Sequence, residues 1–149
     1  MHVYGIDRAV LATDDVVETA DLFGELLGVP FGERVTFEQT SAAGEYELET
    51  AISGLASLDL VGPADDRPDN PVRRYLDAHG PGAYGVAFRV ADLERVSDHL
   101  TERGVDPVGR IEVGDFAELF YHPDDFAGAF VLLAEYDHPF ESNLRRADG

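Results

Sequence analysis

The sequence contains no cysteine, no tryptophan and no lysine. Without cysteine, disulfides and thiolate metal sites are excluded, although the redox compartment is left open. No apolar run approaches the roughly 20 residues needed to cross a bilayer. The opening MHVYGIDRAVL lacks the basic stretch and long apolar core of a signal peptide. A soluble, cytoplasmic protein is therefore expected. In the absence of lysine all 11 basic residues are arginines, against 30 acidic ones, for a net charge of −19. Such a surface repels nucleic acid and anionic membranes, and neither is expected as a partner. Two explanations of the acidity stand side by side. One is adaptation to high salt; the other is a GC-rich genome, whose codons favour Arg, Ala, Gly and Asp.

What is present suits a compact fold. The 149 residues, 44% of them hydrophobic, are enough for one domain with a substantial core. The segment YGVAFRVADLERVSDHLTERGV, Tyr84 to Val105, reads as a strand, a cap at Asp92 and an amphipathic helix. A second copy, YGIDRAVLATDDVVETADLFGELLGV, runs from Tyr4 to Val29. A shift of 77 maps Arg8 onto Gly85, Asp15 onto Asp92 and Asp21 onto Asp98, slipping by one before Gly104. A unit used twice implies a pseudo-symmetric fold.

In the first half, Tyr4 to Thr13 reads as a strand. Asp14 or Asp15 caps a helix whose inward stripe is Val16, Ala20, Phe23 and Leu27, and Gly28 ends it. Arg34 to Gln39 and Tyr46 to Ser53 read as strands around a turn at Ser41 to Gly44. Tyr46, Leu48, Thr50 and Ile52 share one face of the second strand, with Glu47, Glu49 and Ala51 on the other. Ser57 to Val61 is a fourth strand, stopped at Gly62-Pro63. The Pro-rich crossover to Gly82 holds a short helix capped by Asn70 and closed by Gly80. The second half repeats the order, with strands at Ala83 to Val90, Arg110 to Val113, Ala117 to Tyr121 and Ala129 to Ala134. The tail from Glu135, carrying Phe140 and Leu144, packs on a neighbour or frays. The predicted class is α+β, with two tandem βαβββ modules forming a pseudo-symmetric curled mixed sheet around a cavity. It is one domain over 1–149, with module one at about 3–62, the crossover at 63–82, module two at about 83–136 and the tail at 137–149.

This order, carried by IDRAVLAT, LDLVGP, NPVRRYLDAHGPGAYGVAFRVADLERV and FYHPDDFAGAFVLLAE, resembles the vicinal oxygen chelate superfamily. That superfamily includes glyoxalase I, methylmalonyl-CoA epimerase, extradiol dioxygenases and bleomycin-resistance proteins. The likeness is strongest to the epimerase and glyoxalase-like branch and covers most of Gly5 to Glu135. In the family, metal ligands project from the first and fourth strand of each half. The resemblance places those positions at Arg8, Asp59, Gly85 and Leu132, or Leu133 if the last turn carries an extra residue. The family uses His, Gln or Glu there, so this chain departs from the pattern. Gly85 and Leu132 have no donor and Arg8 is a cation, so neither a metal nor another cofactor is expected.

The five histidines match no metal spacing and read as surface or capping residues. His122 is the one that could reach a cavity rim. In the vacated site Arg8 and Asp59 are expected to form a buried pair. Its guanidinium would bind a carboxylate or carbonyl oxygen, or stabilise an enolate; alternatively the pair only holds the sheet. Asp59, Glu47, Glu49 and Glu118 are acid–base candidates, with solvated glutamates as the bland alternative, and Tyr121 is a candidate pocket residue or, more simply, a packed tyrosine. The resulting expectation is a metal-independent isomerase or lyase moving a proton on a small carbonyl or acyl substrate. The alternatives are a non-catalytic binding protein of the bleomycin-resistance type and a scaffold with a filled cavity. Many relatives pair two chains, so a homodimer is expected.

Overall fold

A computed structural model describes residues 2–41, 44–140 and 142–143. The order of elements is β1 (Val3–Ala12), α1 (Val16–Leu27), β2 (Val35–Ser41), β3 (Gly44–Ser53), β4 (Leu58–Pro63), α2 (Pro71–His79), β5 (Gly82–Val90), α3 (Leu93–Thr101), β6 (Gly109–Val113), β7 (Phe116–Tyr121) and β8 (Phe130–Glu135). This is a mixed α+β chain, and a β-α-β-β-β run occurs on each side of α2. Packing divides it into two compact units.

The first unit comprises Arg8–Gln39 and Gly44–Gly85. β1 runs parallel to β4, with Val10 opposite Asp59. β4 runs antiparallel to β3, with Ile52 opposite Asp59 and Thr50 opposite Val61. A parallel pair needs a long crossover, which α1, β2 and β3 supply. Asp15 caps α1 by accepting from the Glu18 N–H at 2.9 Å, and Gly28 ends it in the left-handed region at φ 68°. Val16, Ala51 and Leu60 form a buried core with Leu11, Ala20, Phe23, Phe31 and Leu58 packed against it. The expected stripe holds for Val16, Ala20 and Phe23 and fails at Leu27, which is 70% exposed. Gly62 is needed inside β4, because a Cβ there would come within 2.8 Å of the Thr13 carbonyl oxygen. The strand accordingly continues through Gly62 to Pro63 instead of stopping before them. Of the expected turn at Ser41 to Gly44, Ala42 and Ala43 lie outside the described residues.

In the second unit β6, β7 and β8 are antiparallel, with Glu118 opposite Ile111 on β6 and Ala134 on β8. Asp92 caps α3. Leu93 and Val96 bury against Val90, Leu119, Tyr121, Val131 and Leu133. Among the described residues after β8, Phe140 is buried and packs on Phe116. Leu144 lies outside the described residues. No helix among the described residues is long and apolar enough to cross a membrane.

Candidate functional site

Side chains alternate across a strand. Leu11, Ala51, Leu58 and Leu60 face α1, so Arg8 and Val10 of β1, Thr50 and Ile52 of β3, and Asp59 and Val61 of β4 occupy the opposite face. All six are buried. On that face Arg8 Nε donates to Asp59 Oδ2 at 3.0 Å, and the Thr50 hydroxyl donates to Asp59 Oδ1. Arg8 and Asp59 are each only 7% exposed. A lone buried charge would be destabilising by several kcal/mol, and pairing with full hydrogen bonding removes most of that penalty. The expected pair therefore forms, with Thr50 as a third member. Its signal was legible: Thr50 is the one polar residue on the otherwise apolar stripe of Tyr46, Leu48 and Ile52.

Glu47 and Glu49 are not brought to this pair. Both lie on the other side of β3, where Glu47 is exposed and Glu49 binds Arg34 at 2.7 Å. Strand alternation, having put Thr50 beside Asp59, necessarily sends them away. A groove of about 480 Å³ lined by Val17, Asp21, Glu25, Phe31 and Glu33 also lies on the α1 side. Gly85 belongs to the first unit, in β5, and contributes only backbone.

The remaining candidates belong to the second unit. Leu132 is buried on the face of β8 turned from α3, whereas Leu133 joins the α3 cluster, which favours Leu132 over Leu133 as the inward position. Glu118 lies on the same side as Leu132 and is 2% exposed; among the described residues it and Asp59 are the only buried carboxylates. Tyr121 takes the packed state. It points into the α3 cluster, edge-on to Phe126, because it lies an odd number of residues from Glu118. Burial pushes its hydroxyl's pKa up, with Asp106 adding to the rise and Ser97 opposing it, yet no hydrogen bond of normal geometry reaches its Oη. His122 takes the capping role rather than the rim position. It is exposed, and its Nδ1 accepts from the Asp124 N–H at 3.0 Å, capping the turn at 123–125. The other histidines are likewise local: His79 stacks on Tyr75, His99 meets Arg103, His138 meets Asp115 and His2 packs on Tyr4.

The donor set does not fit a divalent ion. The residue at the first position is a cation already bound to Asp59, both Asp59 oxygens are engaged, and Gly85 and Leu132 supply no side-chain donor. Among the described residues no group of three or more His, Cys, Asp or Glu side chains is arranged to hold a metal.

The element order places the chain in a class of mixed α+β folds that contain two β-α-β-β-β runs. The chain belongs to the glyoxalase/bleomycin resistance protein/dioxygenase superfamily, whose family model matches residues 7–120. Similar solved structures include methylmalonyl-CoA epimerase from Mycobacterium tuberculosis, with TM-score 0.70 and 23% identity over 94% of this chain and 92% of that one. A methylmalonyl-CoA epimerase variant from Streptomyces coelicolor, in complex with 2-nitronate-propionyl-CoA, matches with TM-score 0.70 and 21% identity over 92% of this chain and all of that one. A hypothetical protein from Bacillus halodurans matches with TM-score 0.67 and 14% identity, over 90% and 95%. At these identities the likeness speaks to the fold. No protein of curated function matches the sequence significantly.

Proposed function

We propose that this chain is a small-molecule-binding glyoxalase-like protein in which Arg8 takes an anionic or carbonyl oxygen of a small carbonyl or acyl compound, without a metal or other cofactor. The observation that carries the reading is the Arg8–Asp59–Thr50 cluster, buried on the face of the first unit turned from α1. A guanidinium has five donors in a planar fork matched to a carboxylate or enolate. Asp59, itself fixed by Thr50, holds that fork in one orientation. In a site of low polarity such a donor stabilises developing negative charge far better than it would in water. The likeness to epimerases, several of which were solved in complex with acyl-CoA compounds, favours isomerase or lyase chemistry by proton transfer.

A second reading, binding without chemistry, is favoured by one observation. With Glu47 and Glu49 on the other side of β3, Asp59 is the carboxylate left beside Arg8. Both of its oxygens already accept hydrogen bonds, from Arg8 and Thr50, which leaves it poorly placed to take a substrate proton. The protein acts as a homodimer in either case.

The test is calorimetric titration with malonate, pyruvate, acyl-CoAs and cationic drugs in the presence of a chelator. Binding of an acid, lost in Arg8→Met, supports the Arg8 reading. Uptake of solvent deuterium by the bound acyl compound separates an enzyme from a binder. Preference for a cationic drug with affinity unchanged in Arg8→Met contradicts it.

A further inference from the structure

Nine polar or charged residues are buried among those described: Arg8, Thr13, Gln39, Thr50, Ser53, Asp59, Asn70, Glu118 and Asn143. Eight of them have a partner. Arg8, Asp59 and Thr50 bind one another, Thr13 meets Thr19, Ser53 accepts from the Ala56 N–H, Asn70 and Asn143 are saturated by turns, and Glu118 is engaged. Gln39 is the exception: among the described residues nothing hydrogen-bonds its side-chain amide, although it is only 4% exposed. Leaving an amide unsatisfied in a sealed interior is costly. The amide is not sealed, however. The one sealed side-chain polar atom without a partner among the described residues is Tyr121 Oη, so the polar atoms of Gln39 border accessible space.

The direction in which Gln39 points follows from β2 and β3. Thr36, Glu38 and Thr40 are exposed, and Arg34, of the same parity, reaches Glu49 on the outer side. Val35, Phe37 and Gln39 therefore share the side of Leu48 and Thr50, the face that carries Arg8 and Asp59. In the sequence VTFEQTS the alternation already sets a glutamine where an apolar residue belongs.

We infer that Gln39 is a ligand-contacting residue, which reads a group presenting a donor and an acceptor side by side, and that this group is an amide in the tail of an acyl compound. This rests on the reading of Arg8 as the site for the ligand's acidic or carbonyl end. Gln39 lies two strands from Asp59, across β3, and so meets a different part of the molecule. An amide fits because it can exchange both of the hydrogen bonds that a glutamine offers.

The experiment compares wild-type protein with Gln39→Met, which keeps volume and removes hydrogen bonding, using two probes: malonate, and the malonyl thioester of N-acetylcysteamine, which adds an amide. The melting temperature of the unliganded variant is expected to be unchanged or higher, because no protein partner is lost. Its affinity for the thioester should fall about tenfold, the effect of losing roughly one buried hydrogen bond. Its affinity for malonate should stay as in the wild type. Equal thioester affinity in the two proteins overturns the role of Gln39 alone, and a drop of several degrees in melting temperature makes it a structural residue. Failure of wild-type protein to bind either probe overturns the Arg8 reading, and this inference with it.

Discussion

At the scale of single residues, the Arg8–Asp59 pair is the most consequential feature. Replacing Asp59 with Ala leaves a buried guanidinium without its carboxylate, and the loss is expected to be about 3 kcal/mol by urea unfolding. An unchanged midpoint would mean that Arg8 is not dependent on Asp59. Tyr121 gives the opposite case. Its hydroxyl is sealed without a partner, so Tyr121→Phe should melt at the same temperature or slightly higher; a clear loss would reveal a bond at that hydroxyl. The pairing of Arg8 with Asp59 was readable because the family resemblance implied that both occupy converging positions on the first and fourth strands of one half. For Glu47 and Glu49 alternation gave two faces, and only the seat of α1 decides which is which. Tyr121 and His122 fall at the end of β7, where a one-residue change of register reverses the side chain. Alternation in VTFEQTS puts Gln39 on the side of Val35 and Phe37, but a glutamine between Glu38 and Thr40 is equally at home in solvent, so residue type alone does not mark it as buried.

At the scale of elements, two polar knots hold the connections. Asp65 accepts from the Glu47 N–H at 2.8 Å, the Arg67 N–H at 3.1 Å and the Asn70 amide at 3.1 Å, pinning the crossover to β3 ahead of α2. Burial acts to raise its pKa, but the hydrogen bonds from Glu47, Asn70 and Arg67, with the charge of Arg67, outweigh it and hold the carboxyl below its ordinary value of 3.8. A carboxyl with a lowered folded pKa adds stability above its unfolded pKa, and the gain is lost as pH falls through the folded value. Protection of the Glu47 and Arg67 amides, relative to their intrinsic exchange rates, should therefore fall below about pH 3.8 in wild-type protein and already be low at neutral pH in Asp65→Ala. Equal protection in the two proteins would remove Asp65 from this role.

The second knot is Asn143, which accepts from the Asp115 N–H and donates to Asp115 and to the His138 carbonyl. Gly114, at φ 57°, sits against it with no room for a Cβ. Gly114→Ala should lower stability by about 2 kcal/mol, from backbone strain and the displaced amide together, and Asn143→Ala should leave little further loss in that background. Additive losses in the double variant would separate the two residues. The caps at Asp15, Asn70 and Asp92 were legible from local sequence alone. The docking of the last segment was not, since Phe140 and Asn143 find their partners at a turn about 25 residues earlier in the chain.

At the scale of the whole molecule, charge dominates. A net −19 in 149 residues repels itself, and repulsion of this kind is screened over about 10 Å at 0.1 M salt. The melting temperature should rise from low salt to about 1 M, and a flat or falling curve would show that the charge is already balanced locally. The family was legible from the order of elements more than from any motif. Of the four positions that the resemblance implied for metal ligands, Arg8, Asp59, Gly85 and Leu132, only Asp59 carries a side chain that could bind a cation.

The central claim is that a guanidinium does the electrostatic work of this site. Calorimetric titration of malonate into wild-type and Arg8→Lys protein, both in excess chelator, tests it most directly. Lysine keeps the charge beside Asp59 but loses the planar fork. The expected result is binding by the wild type in chelator and an affinity at least tenfold weaker in Arg8→Lys. Binding that appears only when a divalent metal is restored, or that is equal in the two proteins, would contradict it.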